Sequence, residues 1–243
     1  MWRINYTIVA NLPRLPKILE TMHRIADRPD LYTEQQAYDY VRNVVVGLMK
    51  KTGSIRTVCY GLENLPCEGG YVLYPNHQGK YDGYSIISVH EKAVTAVMDR
   101  EMSYFVLINE IMESLHGKRL DIQDARQGLK VMNAVAEEVK QGRRYIIFPE
   151  GAYNNRKHNT LWDFKPGCFK AAVKASAPIV PVVLIDSYKV YNSWSILPVK
   201  TQVHFLAPLY YEEYKEMNTI QIAHEVKRRI QEKLESLGYS SAG

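Results

Sequence analysis

The sequence predicts an α/β fold: a mostly parallel, mixed sheet flanked by helices, preceded by an N-terminal amphipathic helical hairpin. Three observations predict it. From residue 55 onward, short β-branched and aromatic runs alternate with helical patterns, as in strands joined by crossover helices. Before that, two stretches repeat apolar residues at three- and four-residue spacing. The 243 residues, 46% hydrophobic and 23% charged, suit one substantial folded domain rather than two or a disordered chain. We therefore expect a helical element over residues 1–53 and an α/β domain over residues 54–243.

The first helix is read over residues 14–28, where Leu15, Ile18, Leu19, Met22, Ile25 and Ala26 form one stripe. Arg14, Lys17, His23, Arg24 and Arg28 occupy the other side. Ahead of it, an irregular segment is expected to hold Trp2, Tyr6 and Ile8. Pro29 and Asp30 make the hinge. A second helix starts after Thr33, with Gln36 three residues on as a capping-box pair, and Gly53 ends it. Strands are predicted over 57–60, 71–74, 94–98, 145–148, Ile179–Ile185 and 202–205. Helices are predicted over about 83–90, 104–115, 124–141 and 167–176, with a last one between Asn218 and Gly238. Prolines sit poorly in central ladders, so Pro178 and Pro181 predict a strand that starts at Pro181 or has an irregular beginning.

Composition excludes several classes. The 14 glycines and 11 prolines form no repeat, which removes collagen-like and low-complexity chains. Cys59, Cys67 and Cys168 are odd in number, with no CxxC pair, which argues against a disulfide scaffold or structural zinc and for a reducing cytoplasm. The longest stretch free of Lys, Arg, Asp and Glu is eleven residues, too short for a bilayer-spanning helix of about 20. Residues 1–11 lack a cleavage site of small residues and do not read as a secretory signal. A net charge of +5 suits nucleic acid, an anionic membrane or a phosphorylated substrate alike. Eighteen tyrosines and three tryptophans lean toward a water–lipid interface.

Chemistry in such a sheet belongs in loops at strand ends. After the strand at 71–74 comes Pro75-Asn76-His77-Gln78-Gly79-Lys80-Tyr81-Asp82. A histidine leaves the strand, and an aspartate sits five residues on, where a helix begins. The carboxylate can fold back, fix the imidazole tautomer and stabilise the imidazolium, making a general base toward a bound alcohol. On its own the pair better fits a histidine capping a helix or bonded within a turn. His90 and His116 lack ligand-like spacing to the pair, which argues against a zinc hydrolase. A second loop, Phe148-Pro149-Glu150-Gly151, flanks a glutamate with proline and glycine at another strand end.

Together these features resemble the glycerolipid acyltransferase family, in particular the bacterial 1-acyl-sn-glycerol-3-phosphate acyltransferases. Asn76, His77 and Asp82 match its first motif, and Phe148, Pro149, Glu150 and Gly151 its third. Residues 179–183 resemble its fourth. Phe164, Lys165 and Gly167 resemble a stretch between the last two motifs, and residues 61–66 its lead-in. The resemblance runs from about Val58 to Leu206. It implies His77 as the base on the acceptor hydroxyl and Asp82 as its orienting partner. It also implies acyl-CoA or acyl-carrier protein as the thioester donor, with no metal, no cofactor and no covalent acyl-enzyme. Glu150 and Gly151 would shape the acceptor site.

Two departures concern the phosphate. The arginine of the family's second motif falls here on Ile122 or Gln123, and the third motif's Thr-Arg-Ser is Ala152-Tyr153-Asn154. Guanidinium forks dominate phosphate recognition, so Arg119, Arg126 and Arg156, with Lys80 and Lys157 nearby, are the candidate replacements. The expected reaction is acylation of a lysophospholipid, 1-acyl-glycerol-3-phosphate first. The alternatives are a lysolipid or glycolipid without a terminal phosphate, or a catalytically silent membrane-binding module. The expected partners are a membrane surface, the lysophospholipid and the acyl thioester, with no nucleic acid. The location implied is peripheral, on the cytoplasmic face of the cell membrane, reached through the first basic helix.

Overall fold

The computed structural model describes residues 2–53, 55–105, 107–153, 158–192 and 197–239. Three helices open the chain: α1 (Trp2–Asn11), α2 (Leu15–Asp27) and α3 (Glu34–Gly53). There follow β1 (Ile55–Tyr60), β2 (Tyr71–Pro75), α4 (Asp82–Val89), β3 (Thr95–Asp99), α5 (Ile108–Ser114), β4 (Lys118–Leu120), α6 (Ala125–Lys140) and β5 (Arg144–Ile146). Then come α7 (Lys170–Ala175), β6 (Ile179–Ile185), α8 (Lys189–Asn192), β7 (Val199–Phe205), α9 (Tyr211–Tyr214) and α10 (Thr219–Ser236).

The strands form one sheet in the order β1-β7-β6-β2-β5-β3-β4. Every pairing is parallel except β6 with β7, so the sheet is mixed as the alternation of strands and helices predicts. β2 and β6 lie at its centre and are buried along their whole length. Alternate residues feed opposite layers. Tyr71, Leu73, Val180, Val182 and Leu184 pack with α3, α4 and α5 on one face. Val72, Tyr74, Val183 and Ile185 pack with α6, α7 and α10 on the other. Each such aliphatic side chain gains about 1.5–3 kcal/mol on leaving water, which pins the register of the strands that carry the loops.

Capping follows the sequence. The Thr33 and Gln36 side chains exchange hydrogen bonds with each other's backbone at 3.2 and 2.9 Å, and Asn218 with Gln221 repeats the device at α10. Asp124 caps α6 by accepting from Arg126 and Gln127 N–H.

Four expectations change. β6 has the predicted bounds, Ile179–Ile185, but Pro181 lies inside it rather than at its start. Its ladder to β7 starts at Val182, and the Pro181 carbonyl accepts from Leu206 N–H beyond the end of β7. Ile179 exchanges hydrogen bonds with Leu209, so the missing Pro181 donor falls in the gap between the ladder and this bridge. The short strand β4 and the helices α8 and α9 lie where sequence periodicity gave nothing. The helix expected over 104–115 begins only at Ile108, after Leu107 at φ +71°.

The fourth change is the segment before α2, which is helical rather than irregular. Its polarity is inverted. Arg3, Thr7 and Asn11, spaced four apart, are buried, whereas Ile8, Val9 and Leu12 are 38%, 67% and 60% exposed. Thr7 donates to the Arg3 carbonyl, Asn11 to the Thr7 carbonyl, and Arg3 Nη2 to the Leu197 carbonyl at 2.9 Å. A helix whose buried stripe is polar carries no apolar periodicity to detect. The apolar stripe of α2, in contrast, buries Met22 and Ile25 beside α5, where Ser114 donates to the Met22 carbonyl. Arg14, Lys17 and Arg24 stay exposed.

Candidate active site

The C-terminal ends of three neighbouring parallel strands, β5, β2 and β6, meet at one place. Such ends leave backbone and side chains free of the ladder, and ligands of open α/β sheets bind there. β2 delivers Asn76, His77 and Gln78. Asn76 is fully buried and pairs twice with Leu184: its amide donates to the Leu184 carbonyl at 3.1 Å, and its carbonyl accepts Leu184 N–H at 2.7 Å. This double clasp locks the end of β2 to β6.

His77 and Asp82 come together as the spacing predicts. Nδ1 of His77 lies 2.7 Å from Asp82 Oδ2. A carboxylate accepts, so Nδ1 carries the proton and Nε2 the lone pair, a tautomer assigned from its partner. Asp82 opens α4 and is fully buried, while the His77 side chain is 18% exposed. The same Oδ2 accepts from Gln78 and Gly79 N–H at 2.5 and 2.9 Å. Gly79 thus closes a turn that wraps the loop around its own carboxylate. The imidazole stacks on Phe148 with 4.2 Å between centroids and meets Tyr153 edge-on at 4.7 Å. Burial, and then the Asp82 charge, push the Tyr153 phenol above its ordinary value.

Glu150 follows β5 and is buried. Its Oε1 accepts the backbone N–H of His77 at 2.8 Å and its Oε2 that of Trp162 at 2.9 Å. The carboxylate therefore ties the His77 loop to the segment after the second loop. Gly151 sits at φ +72°, a conformation that favours glycine, and a Cβ there would lie 2.6 Å from Lys165 Nζ. The lysine side chain occupies the space that glycine leaves, and Lys165 N–H donates to the Pro149 carbonyl at 2.8 Å.

The candidate cations separate. Arg119, on β4, spends its guanidinium on Ser103, Asn109 and Glu113 at 2.9, 3.0 and 2.7 Å, with Tyr104 against its face. Arg126 is exposed in the first turn of α6. Arg156 and Lys157 lie outside the described residues. Lys80 is exposed, three residues past His77, with Nζ 5.6 Å from the Phe105 ring centre. Of the vacant arginine positions, Ile122 and Gln123 are exposed and Tyr153 lies against the His77 ring.

Sequence reasoning missed four contributors. Gln78, Asn159 and Ser187 form a buried polar set behind Asp82, and Lys165 lies over Gly151. For Gln78, Asn159 and Ser187 the sequence signal is at most a polar residue near a strand end, which many loops share, and Lys165 stands out only as part of the resemblance over residues 164–167.

The defining pattern of the acyltransferase family matches residues 56–185, just over half of the chain. The 1-acyl-sn-glycerol-3-phosphate acyltransferase of Saccharomyces cerevisiae is 26% identical over 190 residues, which cover 75% of this chain and 61% of that protein. A putative enzyme of the same name from Caenorhabditis elegans is 30% identical over 63% of this chain and 54% of its own. The chain thus spans somewhat over half the length of these two relatives. The crystal structure of the 1-acyl-sn-glycerophosphate acyltransferase PlsC from Thermotoga maritima superposes with a TM-score of 0.74. It covers 96% of both chains at 20% identity and shares the fold. Motif order, strand-end placement and the family match over residues 56–185 agree, and the chain belongs to the acyltransferase family.

Proposed function

We propose that this protein transfers a fatty acyl group from an acyl thioester to the free hydroxyl of 1-acyl-glycerol-3-phosphate, giving phosphatidate. The observation that carries this reading is the His77 Nδ1–Asp82 Oδ2 hydrogen bond at 2.7 Å, with the carboxylate fully buried. Nε2 takes the hydroxyl proton as the oxygen attacks the thioester carbonyl. The tetrahedral adduct collapses, the C–S bond breaks, and the imidazolium returns the proton to the leaving thiolate. Asp82 stays ionised and stabilises the imidazolium between these steps. This sequence needs no metal and no acyl-enzyme, and it accepts either acyl-CoA or acyl-carrier protein as donor.

Lys165 is the cation best placed to read the acceptor phosphate. It is exposed, it lies over Gly151, next to the Glu150 that holds the His77 backbone, and it has no carboxylate partner among the described residues. Engagement by three side chains makes Arg119 a poor candidate. One observation favours a second reading: Tyr153 fills the arginine position of the third motif and lies against the base. An acceptor without a terminal phosphate would fit that uncharged wall.

Membrane docking follows from α1 in this reading. Ile8, Val9 and Leu12 point away from the protein, and the basic residues of α2 are exposed next in the chain. No described helix is long and apolar enough to cross a membrane. We place the protein peripherally, on a cytoplasmic membrane face.

The test uses purified full-length chain with labelled acyl-CoA or acyl-carrier protein and a panel of lysolipids, with and without phosphate monoesters. Transfer should favour lysophosphatidate, and His77→Ala should lower it by about 10²–10⁴-fold. Near-normal turnover by His77→Ala refutes the mechanism. Preference for a phosphate-free acceptor selects the second reading.

A further inference from the structure

We propose that Ser187 is a positioning residue of the base dyad, holding through its hydroxyl the Asp82 oxygen that His77 does not use. The inference rests on the general-base reading above and deepens it.

Ser187 is buried and stands two residues past β6, opposite the base loop. Its Oγ lies 2.5 Å from Asp82 Oδ1 and 2.9 Å from Gln78 Oε1. The hydroxyl has one proton to give. The Gln78 amide nitrogen donates to Asn159 Oδ1 at 2.7 Å and to the Leu184 carbonyl at 2.8 Å, which fixes Oε1 as an acceptor. That oxygen already receives Ser187 N–H at 3.1 Å. The shorter contact to the charged oxygen therefore takes the hydroxyl proton. Among the described residues it is the one donor to Oδ1, whereas Oδ2 accepts from His77, Gln78 and Gly79.

The backbone is shaped to bring the hydroxyl there. Asp186, just before it, is left-handed at φ +60°, a conformation that aspartate tolerates better than most residues. Asn159 holds it by accepting Asp186 N–H and donating to Asp186 Oδ1, both at 3.0 Å. Lys189 pairs with the other oxygen at 2.8 Å. A strained residue clamped on both sides, directly before a buried hydroxyl aimed at the dyad, is a supported device rather than an incidental contact.

Two consequences follow for His77. With both oxygens held, the carboxylate cannot turn about its own bond, and the imidazole keeps its aim. The hydroxyl also shares the carboxylate charge that would otherwise act on the imidazole alone. Removing it therefore leaves a base that is worse aimed and more readily protonated. Among the described residues, the charged and titratable groups around the pair are Tyr153 and Glu150, with Lys165 over the neighbouring Gly151 and Asp186 and Lys189 behind Asn159.

The experiment compares full-length parent, Ser187→Ala, Ser187→Thr and Ser187→Cys. It follows the pH profile of kcat/KM and the NMR resonance of the His77 Nδ1 proton. We expect Ser187→Ala to lower kcat by about 10- to 100-fold, leave the acceptor KM within about twofold and move the acid limb to higher pH by about half a unit. The Nδ1 proton should shift or broaden. Ser187→Thr should restore both readouts, and Ser187→Cys, a weaker donor, should fall between and stands in if the alanine variant does not fold. A variant lacking the hydroxyl that keeps the parental limb and resonance overturns the proposal, even if less stable. If His77→Ala keeps its activity, the general-base reading fails, and the resonance alone still decides whether Ser187 holds the pair.

Discussion

Glu150→Gln separates a clamp from a substrate-binding residue. The carboxylate accepts two backbone N–H groups, from His77 and Trp162, at 2.8 and 2.9 Å in a buried position. Hydrogen bonds to a charged acceptor are worth about 1.5–3 kcal/mol each, and neutral ones about 0.5–1.5. An amide of the same shape keeps one acceptor, at neutral strength, and turns its NH2 toward a backbone donor. The loss is about 2–4 kcal/mol, most of it borne by the two loops that Glu150 joins. His77 rides on one of these bonds, and a displacement of about 1 Å can cost roughly 10²-fold in rate. Urea unfolding should therefore show a lower midpoint at unchanged slope, and steady-state kinetics a fall in kcat with the acceptor KM little changed. A variant of parental stability whose acceptor KM alone rises would refute the clamp and return Glu150 to the acceptor site.

Lys165→Ala should raise the KM for lysophosphatidate by about 10- to 150-fold while leaving thioester use and phosphate-free acceptors unchanged, as expected for one charge-assisted contact. Arg119→Ala should weaken the β4–α5 region, seen as faster local hydrogen exchange, without that KM change. Val9→Asp with Leu12→Asp should leave the unfolding midpoint unchanged, because both side chains are exposed, and should lower sedimentation with anionic vesicles. Burial above all holds His90 neutral and lowers it to about 4, with Tyr71 on one ring nitrogen and the Lys92 carbonyl on the other. The unfolded chain binds that proton from about pH 6.5 downward. Stability is thus full above pH 6.5 and falls toward pH 4, by about 3 kcal/mol from this group, and His90→Gln should flatten the slope of urea midpoint against pH.

The parts of this protein that were legible in the sequence are those where one local rule governs. Burial on both faces makes Ile179–Ile185 a continuous apolar run, and short-range spacing alone lets Asp82 reach back to His77. What stayed hidden depends on distant residues. α1 is helical although its apolar residues face outward, because its polar ones find partners as remote as the Leu197 carbonyl. Arg119 reads as a free cation until Ser103, Asn109 and Glu113 close around it. Ser187 acquires meaning only once the end of β6 lies beside Asp82, and Lys165, part of a family-like stretch in the sequence, only once its side chain lies over Gly151. No period or motif encodes that adjacency.

The place of β1 in the sheet sets a schedule for synthesis. Among the described residues its one strand partner is β7, and the paired residues Thr57 and Thr201 are 144 positions apart. At about 5–20 residues per second, β1 waits roughly 7–30 s on the ribosome before that partner emerges. During this time it presents an unsatisfied edge beside the emerging apolar faces of α3 and α4. Chaperone capture at the nascent stage should therefore concentrate on this N-terminal quarter and end when β7 arrives. A chain stalled before residue 199 should remain bound.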